Sequence, residues 1–191
     1  MNLLLGVTGG IAAYKAAHLT SRATKAGFDV RVAMTPSATA FVGPLTFEAL
    51  TGHPVLVHIL ESENSPGTLS TVEHIDWAKW VDIACIAPLT ASTLGKMACG
   101  IADNGLTTVW LAIPQGVPQL LCPAMNTNMW EHPIVQRNLD WLTQTGRYHL
   151  VPPAQKRLAC GDVGVGALAE VSDIMAAIQE VKAQLSRGPI S

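Results

Sequence analysis

One pattern recurs along the chain: a short unbroken apolar run, a turn of small or hydroxyl residues, then a longer stretch of helical period. Leu3 to Val7 is the first run, Thr8-Gly9-Gly10 its turn, and Ile11 to Ala26 the helical segment, with Gly27 placed as a C-terminal cap. Val30 to Met34 leads through Thr35-Pro36-Ser37 into a second helix, and Ile83 to Ala87, Gln119 to Cys122 and, more weakly, Tyr148 to Val151 repeat the theme. Strands that read as continuous apolar runs, separated by helices, need cover on both faces, which implies a parallel sheet. The expected fold is therefore α/β, a single doubly wound domain of Rossmann or flavodoxin-like type. A last helix from Ser172 shows Ile174, Met175, Ile178, Val181 and Leu185 on one stripe.

The 191 residues suit one domain over 1–191, and no internal repeat divides them. Two stretches stand apart from the scaffold. Leu60 to Ser70 is polar and contains Pro66-Gly67, which reads as an exposed loop. Pro152 to Glu170 is rich in glycine with little period, and loops of that length in compact domains are commonly functional, so 152–170 is expected to form a flap.

Composition narrows the function. Hydrophobic residues make up 49% of the chain and charged residues 14%, against about 25% charged in an ordinary soluble domain. That deficit, together with Trp77 and Trp130, which read as exposed, is expected to reflect surface buried between subunits. Net charge is −2, with no basic run, which argues against nucleic acid and anionic membranes as partners. The apolar start lacks the charged leader of a signal peptide, and no window reaches the roughly 18 apolar residues of a membrane span. The expected location is the cytoplasm. Of the four cysteines, Cys85, Cys99 and Cys122 lie in apolar or small-residue surroundings that read as core. None forms a CxxC pair or a zinc spacing, so a reducing compartment and no metal are expected.

In open α/β sheets ligands bind outside the carboxyl ends of the strands. That rule nominates Thr8 to Ile11, Thr35 to Ser37, Ala87 to Thr93 and Pro123 to Trp130. Glycines and hydroxyls at helix starts suit a phosphate. The first loop matches neither GxGxxG nor a Walker sequence, which leaves a single phosphate open, although Thr8-Gly9-Gly10 also serves as an ordinary helix start. Asn126 stands where an amide can donate to a substrate carboxylate or a flavin carbonyl, or where it or Asn128 caps the next helix. His74 alone of six histidines is framed by carboxylates and tryptophans, in Glu73-His74-Ile75-Asp76-Trp77-Ala78-Lys79-Trp80; it is a candidate base or a structural residue. Cys160 follows Arg157 and precedes Gly161-Asp162 in the glycine-rich stretch, a setting for a reactive thiol or for a small buried hydrophobe.

Several elements together resemble the homo-oligomeric flavin-containing cysteine decarboxylases, in particular the phosphopantothenoylcysteine decarboxylase branch. They are Thr8-Gly9-Gly10-Ile11-Ala12, His74-Ile75 with Trp80, and Ala87-Pro88-Leu89-Thr90-Ala91-Ser92-Thr93-Leu94-Gly95-Lys96. Asp103-Asn104, Pro123-Ala124-Met125-Asn126-Thr127-Asn128-Met129-Trp130 and Ala159-Cys160-Gly161-Asp162 with Gly164 to Glu170 complete the set. The likeness spans nearly the whole chain, and the PxMNxxMW element is specific by itself. Two positions depart from it: Ala167-Leu168 stands where many bacterial relatives have Arg-Met, and Lys79 where some have Arg. Lysine keeps the charge but not the bidentate geometry.

The resemblance implies FMN as cofactor, lying against Gly9, Gly10 and Ile11 with its phosphate near Thr35 and Ser37. Phe41, Thr90, Ala91, Ser92, Thr93 and Ala124 would line the rest. It implies His74 as active-site base, Asn126 as holder of the substrate carboxylate, and Cys160 as proton donor on the flap, with Ala159 and Lys79 also at the substrate. The partners it implies are the small molecule phosphopantothenoylcysteine and further copies of the chain, as a trimer or a multiple of it. The synthetase half of bifunctional relatives is not expected here. The chemistry needs an electron sink, since loss of CO2 from a saturated carboxylate leaves an unstabilised carbanion. Transient oxidation at the carbon bearing sulfur gives a thioaldehyde; decarboxylation gives an enethiolate; re-reduction and protonation give phosphopantetheine, with no net oxidation. Two rival readings are a peptidyl-cysteine oxidative decarboxylase, which needs no proton-donating cysteine, and a flavin-binding phosphatase-regulatory subunit, which tends to carry long acidic extensions.

Overall fold

The computed structural model describes residues 1–58, 73–157 and 163–187. Five strands form one parallel sheet: β1 (Asn2–Val7), β2 (Asp29–Met34), β3 (Ile83–Leu89), β4 (Gln119–Pro123) and β5 (Tyr148–Leu150), in the order β2-β1-β3-β4-β5. The register places Leu5 beside Val32 on one side and Cys85 on the other, and Cys85 beside Leu120. The chain leaves β1 for one edge and β3 for the other, so the connections diverge at that point and open a crevice above it. The doubly wound expectation holds.

Eight helices among the described residues connect and cover the strands: α1 (Tyr14–Lys25), α2 (Pro44–Thr51), α3 (Glu73–Trp80), α4 (Ala91–Ala98), α5 (Gly105–Ala112), α6 (Thr127–Trp130), α7 (Pro133–Gln144) and α8 (Val171–Arg187). None of them is long and apolar enough to cross a membrane. Because side chains alternate across a strand, β1 to β4 each feed two cores. Leu3, Leu5, Val32, Cys85 and Cys122 meet Leu19 of α1, Phe47 of α2 and Ile174 and Ile178 of α8. On the opposite face Leu4, Ala84, Ile86 and Leu121 meet Trp77 of α3, Leu94 of α4, Trp110 of α5 and Leu139 of α7. All seven residues of β3 are buried, which is why it reads as an unbroken apolar run. Each fully buried leucine on these strands contributes about 2 kcal/mol of transfer free energy.

Several expectations change on contact with the fold. The segment Ile11 to Ala26 is not α-helical from its start: Ile11–Ala13 forms a 3-10 turn before α1, and Pro36–Ala40 does the same before α2. The stretch 152–170 is not irregular throughout. Ala154–Arg157 and Val163–Ala167 pair antiparallel as strands β6 and β7, with Gln155 opposite Val165. Two-residue alternation of small and branched residues, Val163-Gly164-Val165-Gly166, is what the strand needs and what a search for helical period passes over. Trp77 is not exposed; it faces the sheet with Ala78, and the Arg31 guanidinium lies 5.3 Å from its ring centre and 4.3 Å from that of Trp80. Cys99 is exposed rather than buried, because it caps the carboxyl end of α4. Leu185 is 43% exposed, beyond the part of α8 that packs. Leu60 to Ser70 lies outside the described residues.

Candidate active site

A cleft of about 870 Å³ opens where the carboxyl ends of β1, β2, β3 and β4 converge. The four strand-end loops supply its floor and walls, and Gly166, Ala167 and Leu168, at the end of β7 and just beyond it, border it as well. Of the residues singled out from sequence, the cleft gathers Gly9, Gly10, Ile11, Thr35, Ser37, Thr90, Ala91, Ser92, Thr93, Ala124 and Asn126.

At one end of the cleft the β1 and β2 loops approach as closely as packing allows. A methyl group on Gly9 would lie 2.6 Å from Ser37 Cβ and 2.8 Å from the Ser37 carbonyl carbon, so only a glycine fits at that position. Thr35 and Ser37 share a hydrogen bond of 3.1 Å between their hydroxyls. Gly10 is extended (φ −167°), and the nearest heavy atom to a methyl placed there is Thr90 Cγ2, at 3.7 Å, so the space above it is open. The first N–H groups of a helix have no partner within the helix. Three such starts border the cleft, at Ile11, at Ser37 (Pro36 before it carries no N–H) and at Ala91. Lys15, on the turn after Ile11, adds a positive charge and forms no ion pair with any described residue. N–H groups, hydroxyls and a cation are the groups that a phosphate needs; Ile11, Pro88, Met125, Met129 and Leu168 add an apolar lining of the kind that suits a flat ring.

The β3 loop is stiffened by its own side chains. Thr90 caps α4: its Oγ1 accepts from Thr93 N at 3.5 Å and donates to Thr93 Oγ1 at 3.3 Å. Asn126 caps α6, with Oδ1 accepting from Asn128 N at 2.8 Å, and borders the cleft at the same time. The two readings of Asn126 are thus compatible, because capping fixes the amide's orientation. Met125 N donates to Gly166 O at 2.9 Å. A methyl on Gly166 (φ 140°) would collide with the Met125 carbonyl, and one on Gly164 would meet the Thr127 side chain. The β7 strand therefore sits directly on the loop that carries Asn126.

Three expected residues do not join this cleft within one chain. His74 is half-buried on α3, and its Nδ1 is buried with no hydrogen-bond partner among the described residues. Lys79 is exposed on the same helix, and Phe41 is 49% exposed at the end of the 3-10 turn after β2. Ala159 and Cys160 lie outside the described residues. Two other histidines have local partners: His53 Nε2 meets Asp29 Oδ1 at 2.6 Å, and His132 Nδ1 accepts from Ile134 N.

The cleft also contains residues to which sequence reasoning gave no role. Tyr14 and Lys15 follow Ile11 by three and four positions, a spacing that puts them on its side of the helix and could have revealed them. Lys96 and Asp103 form an ion pair of 2.6 Å, and Asn104 Nδ2 donates to Asp103 Oδ1 while its Oδ1 caps α5. The hydrogen bond from Lys96 holds the Asp103 carboxyl below the usual carboxylate range. Among the described residues no cluster of histidine, cysteine and carboxylate could hold a metal ion.

The fold defines a doubly wound protein with a ligand-sized cleft at the carboxyl ends of its strands. The Flavoprotein family model matches residues 1–182, and the chain belongs to that family. It is 45% identical over 178 residues to the probable phosphopantothenoylcysteine decarboxylase of Streptococcus mutans, covering 93% of this chain and 97% of that one. It is 44% identical to the coenzyme A biosynthesis bifunctional protein CoaBC of Bacillus subtilis; that match takes in 99% of this chain, which spans 45% of the bifunctional protein's length. Among solved structures, a PPC decarboxylase mutant complexed with pantothenoylaminoethenethiol aligns with a TM-score of 0.81 at 34% identity, covering 95% of this chain and 98% of that one. The FMN binding protein AtHal3 aligns with a TM-score of 0.77 at 34% identity, covering 96% and 97%.

Proposed function

We propose that the chain is an FMN-dependent decarboxylase that converts phosphopantothenoylcysteine to phosphopantetheine in cytoplasmic coenzyme A synthesis. The observation that carries this reading is the junction of a phosphate-ready cleft end, at Gly9, Gly10, Thr35 and Ser37, with a fixed carboxamide at Asn126. The 45% identity over nearly the full length of the Streptococcus mutans relative supports the substrate.

Gly9, Gly10 and Ile11 would hold FMN with Thr35, Ser37, Phe41, Thr90 to Thr93 and Ala124, the phosphate at the hydroxyl end. When bound, FMN supplies a reversible two-electron acceptor next to the carbon bearing sulfur. The chain's own residues do the rest. The amide N–H of Asn126 binds and orients the substrate carboxylate, so that the bond to CO2 is held in one direction. His74 removes a proton during oxidation of the substrate, and Cys160 returns one from the flap. Ala159, beside it, and Lys79 contact the substrate. The apolar lining excludes water while the enethiolate exists.

Because His74, Lys79 and Phe41 stand outside the cleft of a single chain, we assign them to the cleft of a neighbouring copy in a homotrimer. The exposed apolar residues Ile11, Tyr14, Phe41 and Leu45 are of the kind a subunit boundary covers. Light scattering that reports a stable monomer would sink this assembly. Mixing inactive His74→Asn and Asn126→Asp proteins, with reassembly, is expected to restore activity through hybrid sites.

The decisive experiment is product analysis by mass spectrometry after mixing purified protein, FMN and phosphopantothenoylcysteine. Wild type is expected to release phosphopantetheine and Cys160→Ser to stop at the oxidised enethiol. Untouched substrate, with conversion of a cysteine-terminated peptide instead, would replace this reading by the peptide-modifying one.

A further inference from the structure

The cleft's two walls belong to segments some eighty residues apart in sequence, and one buried side chain ties them together. Thr8, which directly follows β1, has no exposed surface. Its Oγ1 donates to the carbonyl of Pro88 at 2.7 Å and accepts from the N–H of Thr90 at 3.0 Å. Its own N–H also reaches Pro88 O, at 3.3 Å. A hydroxyl offers one donor and two acceptor lone pairs, and here it donates to one backbone group and accepts from another across the junction of β1 and β3. Thr8 itself does not border the cleft. The residues on either side of the tie do: Gly9 and Gly10 follow it on one wall, Thr90 to Thr93 form the other, and Pro88 lies between.

We propose that Thr8 is a cofactor-positioning residue, whose hydroxyl sets the separation between the Gly9–Ile11 turn and the Thr90–Thr93 turn and thereby the affinity for flavin. The inference rests on the reading that this cleft holds FMN. Valine matches threonine in shape but neither donates nor accepts. With valine at position 8, Thr90 N loses its acceptor, Pro88 O keeps only the longer contact from the backbone, and the two turns are free to separate. Losing both hydrogen bonds from this junction is expected to weaken FMN binding roughly tenfold. Thr20 supplies an internal control, since its equally buried hydroxyl donates to Ala16 O within α1, away from the cleft.

The test compares wild type, Thr8→Val, Thr8→Ser and Thr20→Val by FMN titration of apoprotein, urea unfolding without FMN, and amide exchange at Thr90. Thr8→Val is expected to weaken FMN binding about tenfold or more and to speed exchange at Thr90. Thr8→Ser should stay within about threefold of wild type. Thr20→Val should alter stability alone. FMN affinity in Thr8→Val equal to wild type overturns the proposal, as does a serine variant as weak as the valine one. If Thr8→Val does not fold, Thr8→Ala against Thr8→Ser reads the same difference. Wild type that fails to bind FMN overturns the cofactor reading and this inference with it, whereas wild-type binding with an indifferent Thr8→Val overturns this inference alone.

Discussion

Gly10 offers the sharpest test of the cofactor cradle, because the protein itself has no need of a glycine there. Its backbone is extended, with φ −167° and ψ 163°, a conformation that alanine adopts freely. A methyl at that position would meet nothing closer than Thr90 Cγ2, at 3.7 Å, an ordinary van der Waals contact. Gly10→Ala should therefore leave the apoprotein as stable as wild type, or more stable by about 0.4–1 kcal/mol through lost freedom in the unfolded chain. The same methyl points into the space that the cofactor would fill. Forcing one extra carbon into a packed contact costs about 1–3 kcal/mol, so FMN affinity should fall roughly 5- to 150-fold. Gly9→Ala is the contrast: its methyl collides with Ser37 inside the protein, so the apoprotein should lose stability before any ligand is added. Urea unfolding of apoprotein and quenching of FMN fluorescence separate the two effects. FMN affinity unchanged in Gly10→Ala, or an apoprotein as damaged as that of Gly9→Ala, would refute the reasoning.

Three further outcomes follow from the same geometry. Gly166→Ala combines a φ of 140° with a collision against the Met125 carbonyl, and should lower the unfolding free energy by about 1–3 kcal/mol; an unchanged urea midpoint would contradict that. In a Cys160→Ser background a thiol reagent should label Cys99 in the native protein, and Cys85 and Cys122 only after unfolding; both are buried, and burial above all raises the Cys122 thiol well beyond its ordinary value. The Asp103 carboxyl is held low chiefly by Lys96, so the pair's stabilisation is present above the ordinary carboxylate pKa of about 4 and is lost as pH falls through the lower folded value. Asp103→Asn should accordingly cost stability near neutrality and little in strong acid, and an equal cost at both pH values would show that the pair is not responsible.

The sheet was legible because burial on both faces leaves its mark on every residue of a strand, and β1 and β3 carry that mark without interruption. The site's position followed from topology, since a parallel sheet delivers its loops to one edge. What sequence reasoning missed depends on contacts between distant positions. Nothing local distinguishes Thr8 from a helix-starting threonine; its partners lie eighty residues away. Trp77 looked exposed because its neighbours are charged, yet its helix turns it toward Trp110 and sets Arg31 over its ring. Cys99 looked buried because small residues surround it, although it closes a helix at the surface. The β7 strand went unread because its glycines carry no apolar signal, while close seating on Met125 and Thr127 is what requires them.

These misses share a cause that bears on how the site works. The strand-end loops are short and are held by rigid strands, so their residues converge within one chain. His74 and Lys79 on α3, and Phe41 just past the turn after β2, have no such constraint toward the cleft, and the buried Nδ1 of His74 has no hydrogen-bond partner among the described residues. On the proposed reading one subunit would hold most of the cofactor and a neighbouring copy would add Phe41, while proton transfer to and from substrate would wait on assembly. A monomeric variant should then still bind FMN, more weakly by the loss of the Phe41 contact, and yet fail to turn over. Such a separation of binding from catalysis would not arise if His74 acted within its own chain.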